Sequence, residues 1–240
     1  DYREIPVKDG YIFGGWNYDF TKPINENLIV TALWSFDYTY TEMTLKEIYE
    51  TYGTEEAILE KKGSEKLVCV SGVITRTVGK NSAYLQQTID GETYGIYLYG
   101  LEFCENISEN NKFQTGYSVI VYGRIYYYAG MIEIAWIDDS LTVVVSYDSA
   151  DDIVISEVTD ISSYIKETKN INNILKVTTP LTIISYYDSA NNAFSLYASY
   201  KDIQGEMQKV RLHISCIVAL IDEKGDRITS GAYFNGRTIK

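Results

Sequence analysis

Five short segments decide the fold: LVCVSGVIT (67–75), AYLQQTID (83–90), YGIYLYG (94–100), YSVIVYGRIYYY (117–128) and MIEIAW (131–136). Each alternates apolar and polar residues with the period of a half-buried strand. Gly72 and Gly123 interrupt the first and fourth segments, where a small closed barrel must bend sharply. Asp90-Gly91 and Ala129-Gly130 supply tight turns between consecutive segments. The stretch Leu101 to Thr115, between the third and fourth, reads as a helix or irregular plug. The pattern predicts one five-stranded barrel closed around a shared core.

Outward from the barrel, a helix is expected after Thr41 or Thr44, either of which is a good cap, with Leu45, Ile48 and Tyr49 at helical spacing and Gly53 as the stop. A second short helix over Glu55 to Lys61 ends at Lys61-Lys62-Gly63. Both are expected to pack on the barrel end. Ser35 to Thr41 loses the apolar pattern and reads as a linker. Before it, Tyr11–Trp16 and Leu28–Trp34 read as two strands around a Gly/Asp/Pro-rich connection, anchored by Trp16 and Trp34.

After Leu141 to Val145, a further short strand, a boundary is placed near residue 147. Beyond it come a weakly helical stretch over Ile161 to Leu175 and strands at Leu181–Tyr187, Ala193–Tyr200 and Val210–Ile221. This order repeats the first barrel at an offset of about 115 residues, an internal duplication. Phe234 to Ile239 then corresponds to the lead-in of the fourth barrel strand, so the second barrel is expected to lack its closing strand. The predicted organisation is mainly β: a two-stranded fragment over 1–36, a barrel domain over 41–146, and a second, incomplete β domain over 147–240.

Val70-Ser71-Gly72-Val73-Ile74, Ala83-Tyr84-Leu85-Gln86, Tyr94 through Gly100, and Gly116 through Arg124 together resemble oligonucleotide/oligosaccharide-binding (OB) domains of secreted or surface proteins of Gram-positive bacteria and Bacteroides. Members of that family carry Asp where this chain has Gln87, and Gly where it has Tyr94. Gly10-Tyr11-Ile12-Phe13-Gly14-Gly15-Trp16, followed by Asp19-Phe20, Pro23-Ile24 and Val30 to Trp34, resembles the second half of the Listeria-Bacteroides (internalin-B-type) repeat. The two resemblances imply an OB barrel over 41–146 after a β-grasp-like repeat over 1–36, and with the duplication a second OB-like β domain over 147–240, in an extracellular or cell-surface bacterial protein that binds without catalysis. They make single-stranded nucleic acid the first ligand to test. The alternative is a structural spacer or adhesin segment that binds protein or glycan.

Composition constrains the ligand. Of 240 residues, 21 are Lys or Arg and 33 Asp or Glu, so the net charge is −12 and a phosphate backbone is repelled overall. Tyrosine is in excess, with 23 against 7 Phe. Cys69, Cys104 and Cys216 have no C-x-x-C spacing and read as buried thiols. No segment reaches the roughly 20 apolar residues that span a bilayer, so no membrane insertion is expected.

Catalytic chemistry is not predicted. His213 is the single histidine and lies in a strand pattern, which makes neither a triad nor a zinc site. Phosphate-cradling and nucleophile-elbow motifs do not occur. The pairs Glu55-Glu56, Asp138-Asp139 and Asp151-Asp152 point adjacent carboxylates to opposite faces. Tyr147 to Asp152 offers oxygen ligands without the spacing of a calcium loop, so no metal and no cofactor is expected.

Binding is placed on the outer face of the barrel. With Leu85, Ile96, Leu98, Val119 and Val121 inward, alternation turns Tyr84, Gln86, Tyr97, Tyr99, Tyr122 and Arg124 outward, with Lys80 and Asn81 beside them. Such a face stacks on bases or sugars, or else covers the sheet and neighbouring domains of the same polypeptide.

Overall fold

The computed structural model describes residues 5–8, 11–36, 39–61, 63–79, 81–103, 113–135, 142–143, 153–216 and 218–240. The chain divides into two compact units, residues 1–153 and 154–240.

The first unit opens with an antiparallel hairpin of β1 (Tyr11–Trp16) and β2 (Ala32–Phe36). Its aromatic anchors meet edge to face, Phe13 lying 5.3 Å from Trp16 and 5.6 Å from Trp34 between ring centroids. The second strand starts at Ala32, four residues later than Leu28, where the alternation begins. The expected linker is instead partly ordered, because β3 (Tyr40–Glu42) runs parallel to Leu67–Cys69. Its hydrogen bonds are made by backbone alone, so no apolar pattern advertises it.

Helix α1 (Leu45–Tyr52) begins at Thr44, whose hydroxyl accepts from Glu47 N while the Glu47 carboxylate accepts from Thr44 N. This reciprocal box satisfies two donors that the first turn leaves unpaired. Gly53 ends the helix, its N–H donating to Tyr49 O. Thr54 caps α2 (Glu55–Glu60), which stops at Lys61 in the left-handed region with φ 52°, two residues before the glycine.

The barrel consists of β4 (Leu67–Val78), β5 (Ser82–Ile89), β6 (Glu92–Tyr99), β8 (Ser118–Tyr128) and β9 (Met131–Ala135), with the two-residue β7 (Glu102–Phe103) between β6 and β8. A further short strand, β10 (Thr142–Val143), runs parallel to β7. Strand order is β4-β5-β6-β9-β8, and β8 pairs back to β4, so five strands close on themselves. All neighbours are antiparallel except β6 and β9, which run parallel. Closure removes the sheet edges that an open five-stranded sheet would expose.

The core fills this closed sheet. Leu85, Ile96, Leu98, Val119 and Val121 are all buried, as the alternation requires, together with Val70, Ile74, Ile125 and Ile134. Leu45, Ile48 and Tyr49 of α1 join the same cluster, so the helix seals the barrel. A Cβ at Gly72 would stand 2.6 Å from the carbonyl oxygen of Gln86, and one at Gly123 would stand 2.4 Å from Cγ2 of Ile134. Neither bend has room for a side chain. At the β5–β6 turn Asp90 and Gly91 both take positive φ, 54° and 81°, the mirror-image turn that a right-twisted hairpin needs.

The second unit repeats this order. Strand β11 (Ser156–Val158), helix α3 (Ile161–Tyr164) and β12 (Leu175–Val177) reproduce β3, α1 and the start of β4, with β11 parallel to β12. The helix caps, Thr44 and Asp160, lie 116 positions apart (160 less 44). Pro180 follows, and the chain resumes as β13 (Leu181–Asp188), then β14 (Phe194–Lys201) and β15 (Met207–Ile214). The stretch expected as one strand over Val210–Ile221 is two, because β15 ends at Ile214 and β16 (Leu220–Ile221) forms a separate hairpin with β17 (Arg227–Ile228). The expected helical stretch shortens to α3 and one 3₁₀ turn, Thr168–Asn170.

The last strand, β18 (Thr238–Ile239), pairs antiparallel with β13 as β8 pairs with β4. Its lead-in matches atom for atom. Gly116 N donates to Ile74 O and Ile74 N to Tyr117 O, while Gly236 N donates to Ile183 O and Ile183 N to Arg237 O. The sheet is β15-β14-β13-β18, four strands of a half-barrel around Leu181, Ile183, Phe194, Leu196 and Ala198.

Candidate functional site

The outer wall of the barrel carries a continuous cross-strand row. Register pairs Arg76 of β4 with Tyr84 of β5, Tyr84 with Tyr97 of β6, Tyr97 with Glu133 of β9, and Glu133 with Tyr126 of β8. Directly paired residues leave the sheet on the same face, so these five side chains form one line. The rings of Tyr84 and Tyr97 lie 4.9 Å apart, and Tyr97 and Tyr99 6.3 Å apart, in tilted contact. Tyr99 is the most open of the three, 57% exposed.

Glu133 lies within this row, between Tyr97 and Tyr126. Burial among its neighbours pushes its carboxyl above the usual carboxylate range. The Tyr97 hydroxyl is raised as well, first by desolvation and against a hydrogen bond with Ser82. The row is therefore an aromatic platform with one partly dehydrated carboxylate acceptor and a guanidinium at its end.

Three of the six residues expected on this face, Tyr84, Tyr97 and Tyr99, are brought together here. Gln86 is not on an open surface, since only 4% of it is exposed. Alternation fixes the direction in which a side chain leaves a strand, not what lies over it. Tyr122 and Arg124 share β8 with Tyr126, but Tyr126 is the residue in register with the row. Tyr122 pairs instead with Cys69 of β4 and meets Tyr40 of β3 edge to face at 5.0 Å. Burial, followed by the hydrogen bond with Cys69, pushes its hydroxyl up to about 12. Arg124 is half-buried and its Nε has no hydrogen-bond partner among the described residues. Asn81 is exposed at the β4–β5 turn, where its carbonyl accepts from Leu101 N. Lys80 lies outside the described residues, as do Cys104, Trp136, Asp138-Asp139 and Tyr147 to Asp152.

Glu133, Tyr126 and Arg76 were not anticipated. The alternation of Met131-Ile132-Glu133-Ile134 already turns Glu133 outward, yet only the parallel pairing of β6 with β9 sets it beside Tyr97.

Both departures from the OB-like pattern serve the helix seal. Gln87 Oε1 accepts from Leu45 N at 2.7 Å, and Gln87 Nε2 donates to Ser71 O at 3.1 Å. Tyr94 is buried against Tyr49, and its hydroxyl donates to Glu92 at 2.8 Å.

In the second unit, His213 has a neighbour the sequence did not foretell. Its Nδ1 lies 3.2 Å from Oγ of Ser195, the residue paired with it across β14 and β15. That same oxygen accepts from Arg211 Nε and Nη2, at 3.2 and 3.0 Å. A hydroxyl oxygen holding two guanidinium N–H groups is electron-poor, the reverse of what an attacking oxygen requires. Cys69 is buried as expected and its thiol is pushed up by desolvation, whereas Cys216 is exposed.

Among the described residues no group of three or more His, Cys, Asp or Glu is placed to hold a metal ion. No helix among them is long and apolar enough to cross a membrane. No family model and no curated protein matches the chain.

Proposed function

We propose that the chain is a non-catalytic binding module of an exported or surface-attached bacterial protein, and that the wall formed by Tyr84, Tyr97, Tyr99 and Glu133 stacks on an uncharged glycan. The observation that carries this reading is the register of Glu133 between Tyr97 and Tyr126. A carboxylate among rings accepts hydrogen bonds from sugar hydroxyls, while the rings cover the apolar faces of the sugar. The same carboxylate, with a net charge of −12 behind it, repels a phosphate backbone. This ranks glycan above single-stranded nucleic acid, although barrels of this shape serve both. The compartment rests on the resemblance of residues 10–34 and 70–124 to surface-protein modules. The duplicated order of elements supports a second role as a spacer within a tandem array.

The deciding experiment sets the wild-type chain against Tyr97→Ala plus Tyr99→Ala on a glycan array, and by tyrosine fluorescence with oligo-dT. Salt-insensitive glycan retention lost in the double variant is expected. Binding of oligo-dT that weakens steeply with salt and is lost in the same variant would replace glycan with nucleic acid. Glycan retention unchanged by the double variant would remove the wall from the binding surface.

A further inference from the structure

A second concavity lies away from the tyrosine row, where β3, the start of α1, β4, β5 and β8 meet. It is a half-open hollow of about 550 Å³, within the size range of small-molecule sites. Its lining includes the aromatic and apolar groups of Tyr40 and Tyr122, in contact edge to face, with Met43 and Ile120. Glu42 and Glu47 line the same hollow. Among the described residues no Lys, Arg or His lines it. Lys46, the nearest cation in sequence, turns to Asp90 at 3.2 Å.

The surrounding contacts hold these groups in place. The Glu47 carboxylate accepts from Thr44 N at 2.7 Å and from Thr44 Oγ1 at 2.8 Å, which keeps it ionised beside the cavity. Gln87, which also lines the hollow, is spoken for by Leu45 N and Ser71 O, so the cavity offers aromatic rings and negative charge in preference to free amide groups.

The geometry points to a binding site for a small organic ammonium ion, seated against the rings of Tyr40 and Tyr122 with Glu42 and Glu47 as counter-charges. Ring faces attract an alkylated cation, and the carboxylates attract the same charge. An anion is repelled there, and a neutral alkyl group gains only the apolar contact. The site is independent of the glycan reading, since none of its groups belongs to the Tyr84–Tyr97–Glu133 row.

The test uses the whole chain with ¹³C-labelled Met methyl groups, so that Met43 reports on the cavity. The probes are choline and its uncharged isostere 3,3-dimethylbutan-1-ol. Saturable shifts at Met43 with choline are expected, with the isostere weaker by about threefold to thirtyfold, the span from half-exposed to dry cation–π contacts. Tyr40→Ala and Glu42→Gln, both at exposed positions, are each expected to weaken choline at least threefold. Tyr99→Ala, on the other wall, leaves it unchanged. Sedimentation with phosphatidylcholine vesicles, competed by free choline, would assign the cation to a lipid headgroup, and its failure would assign it to a free ion. Equal binding of the isostere, the same affinity in Glu42→Gln and Tyr40→Ala folded as judged by circular dichroism, or no saturable shift at Met43 each overturns the proposal.

Discussion

Replacing Gly123 by Ala tests barrel closure directly. Gly123 faces the core on β8, and an added Cβ meets Ile134 Cγ2 at 2.4 Å, Ala135 O at 3.1 Å and Leu101 Cδ2 at 3.4 Å. The first contact is well inside van der Waals separation, and the second is with backbone, which cannot rotate away. Overpacking of this kind costs about 1–3 kcal/mol. Ile134→Ala removes the Cγ2 methyl, leaves a cavity and alone costs about 2–5 kcal/mol, because Ile134 is fully buried. In the double variant the new methyl occupies space that Ile134 vacated. The two losses are therefore expected to fall short of additivity by about 1 kcal/mol or more, a coupling well above the error of such cycles. Urea unfolding followed by far-ultraviolet circular dichroism, with each variant's m-value compared to wild type, reads this out. Strict additivity, or Gly123→Ala at wild-type stability, would mean that β8 and β9 do not meet across Gly123 and that the closed arrangement is wrong.

Gln87→Ala removes one bond from α1 to the barrel together with the bond to Ser71 O of β4, and strands the Leu45 N–H, so a loss of about 1–3 kcal/mol is expected in the same urea assay. Glu133 has its folded value raised above the ordinary 4.5 by burial, so the folded state holds this proton more tightly than the unfolded state. Its contribution is complete below about pH 4.5 and declines as pH rises through the folded value. Glu133→Gln is expected to raise neutral-pH stability and flatten that decline in thermal melts, while weakening glycan binding. Asp160 behaves in the opposite sense. Hydrogen bonds from Ser163 and Ser162 hold its carboxyl at about 2, below the ordinary 3.8, so its support is present above pH 3.8 and is lost as pH falls through 2. Asp160→Asn should remove that acid-side dependence and lower the melting temperature at pH 7, and an unchanged acid limb would exclude Asp160 as its source.

The barrel was legible because its strands are half-buried, which writes burial into the sequence as strict alternation. Thr44, Gly53 and the helical spacing of Leu45, Ile48 and Tyr49 were legible for the same reason, since cap and stop chemistry is local. Strand β3 was not, because Tyr40-Thr41-Glu42 gains its place from backbone pairing with residues 27 positions away (67 less 40). The site was half legible. Alternation named Tyr84, Tyr97 and Tyr99, but grouped with them Tyr122, whose neighbours are Cys69 and Tyr40. Which outward residues share a row is set by register between strands distant in sequence. Residues 97 and 133 meet only because β6 and β9 run parallel, and no local pattern encodes that.

The internal duplication separates scaffold from chemistry. The shared lead-in aligns Ile74 with Ile183, and a bulge follows each, so the core pair Leu85 and Ile96 corresponds to Ala198 and Val210, and the outward pair beside it, Tyr84 and Tyr97, to Tyr197 and Arg211. The inward residues stay apolar in both copies because each must bury a sheet face. The outward ones are retained only in part: two rings in tilted contact in one copy, and in the other one tyrosine paired with Arg211, whose guanidinium donates to Ser195. A ligand read by the shape of the sheet would meet equivalent surfaces in both units. A ligand read by the aromatic wall meets it only in residues 1–153, so loss of binding in the Tyr97→Ala plus Tyr99→Ala chain, with residues 154–240 untouched, would place recognition in the side chains of one copy and not in the fold they share.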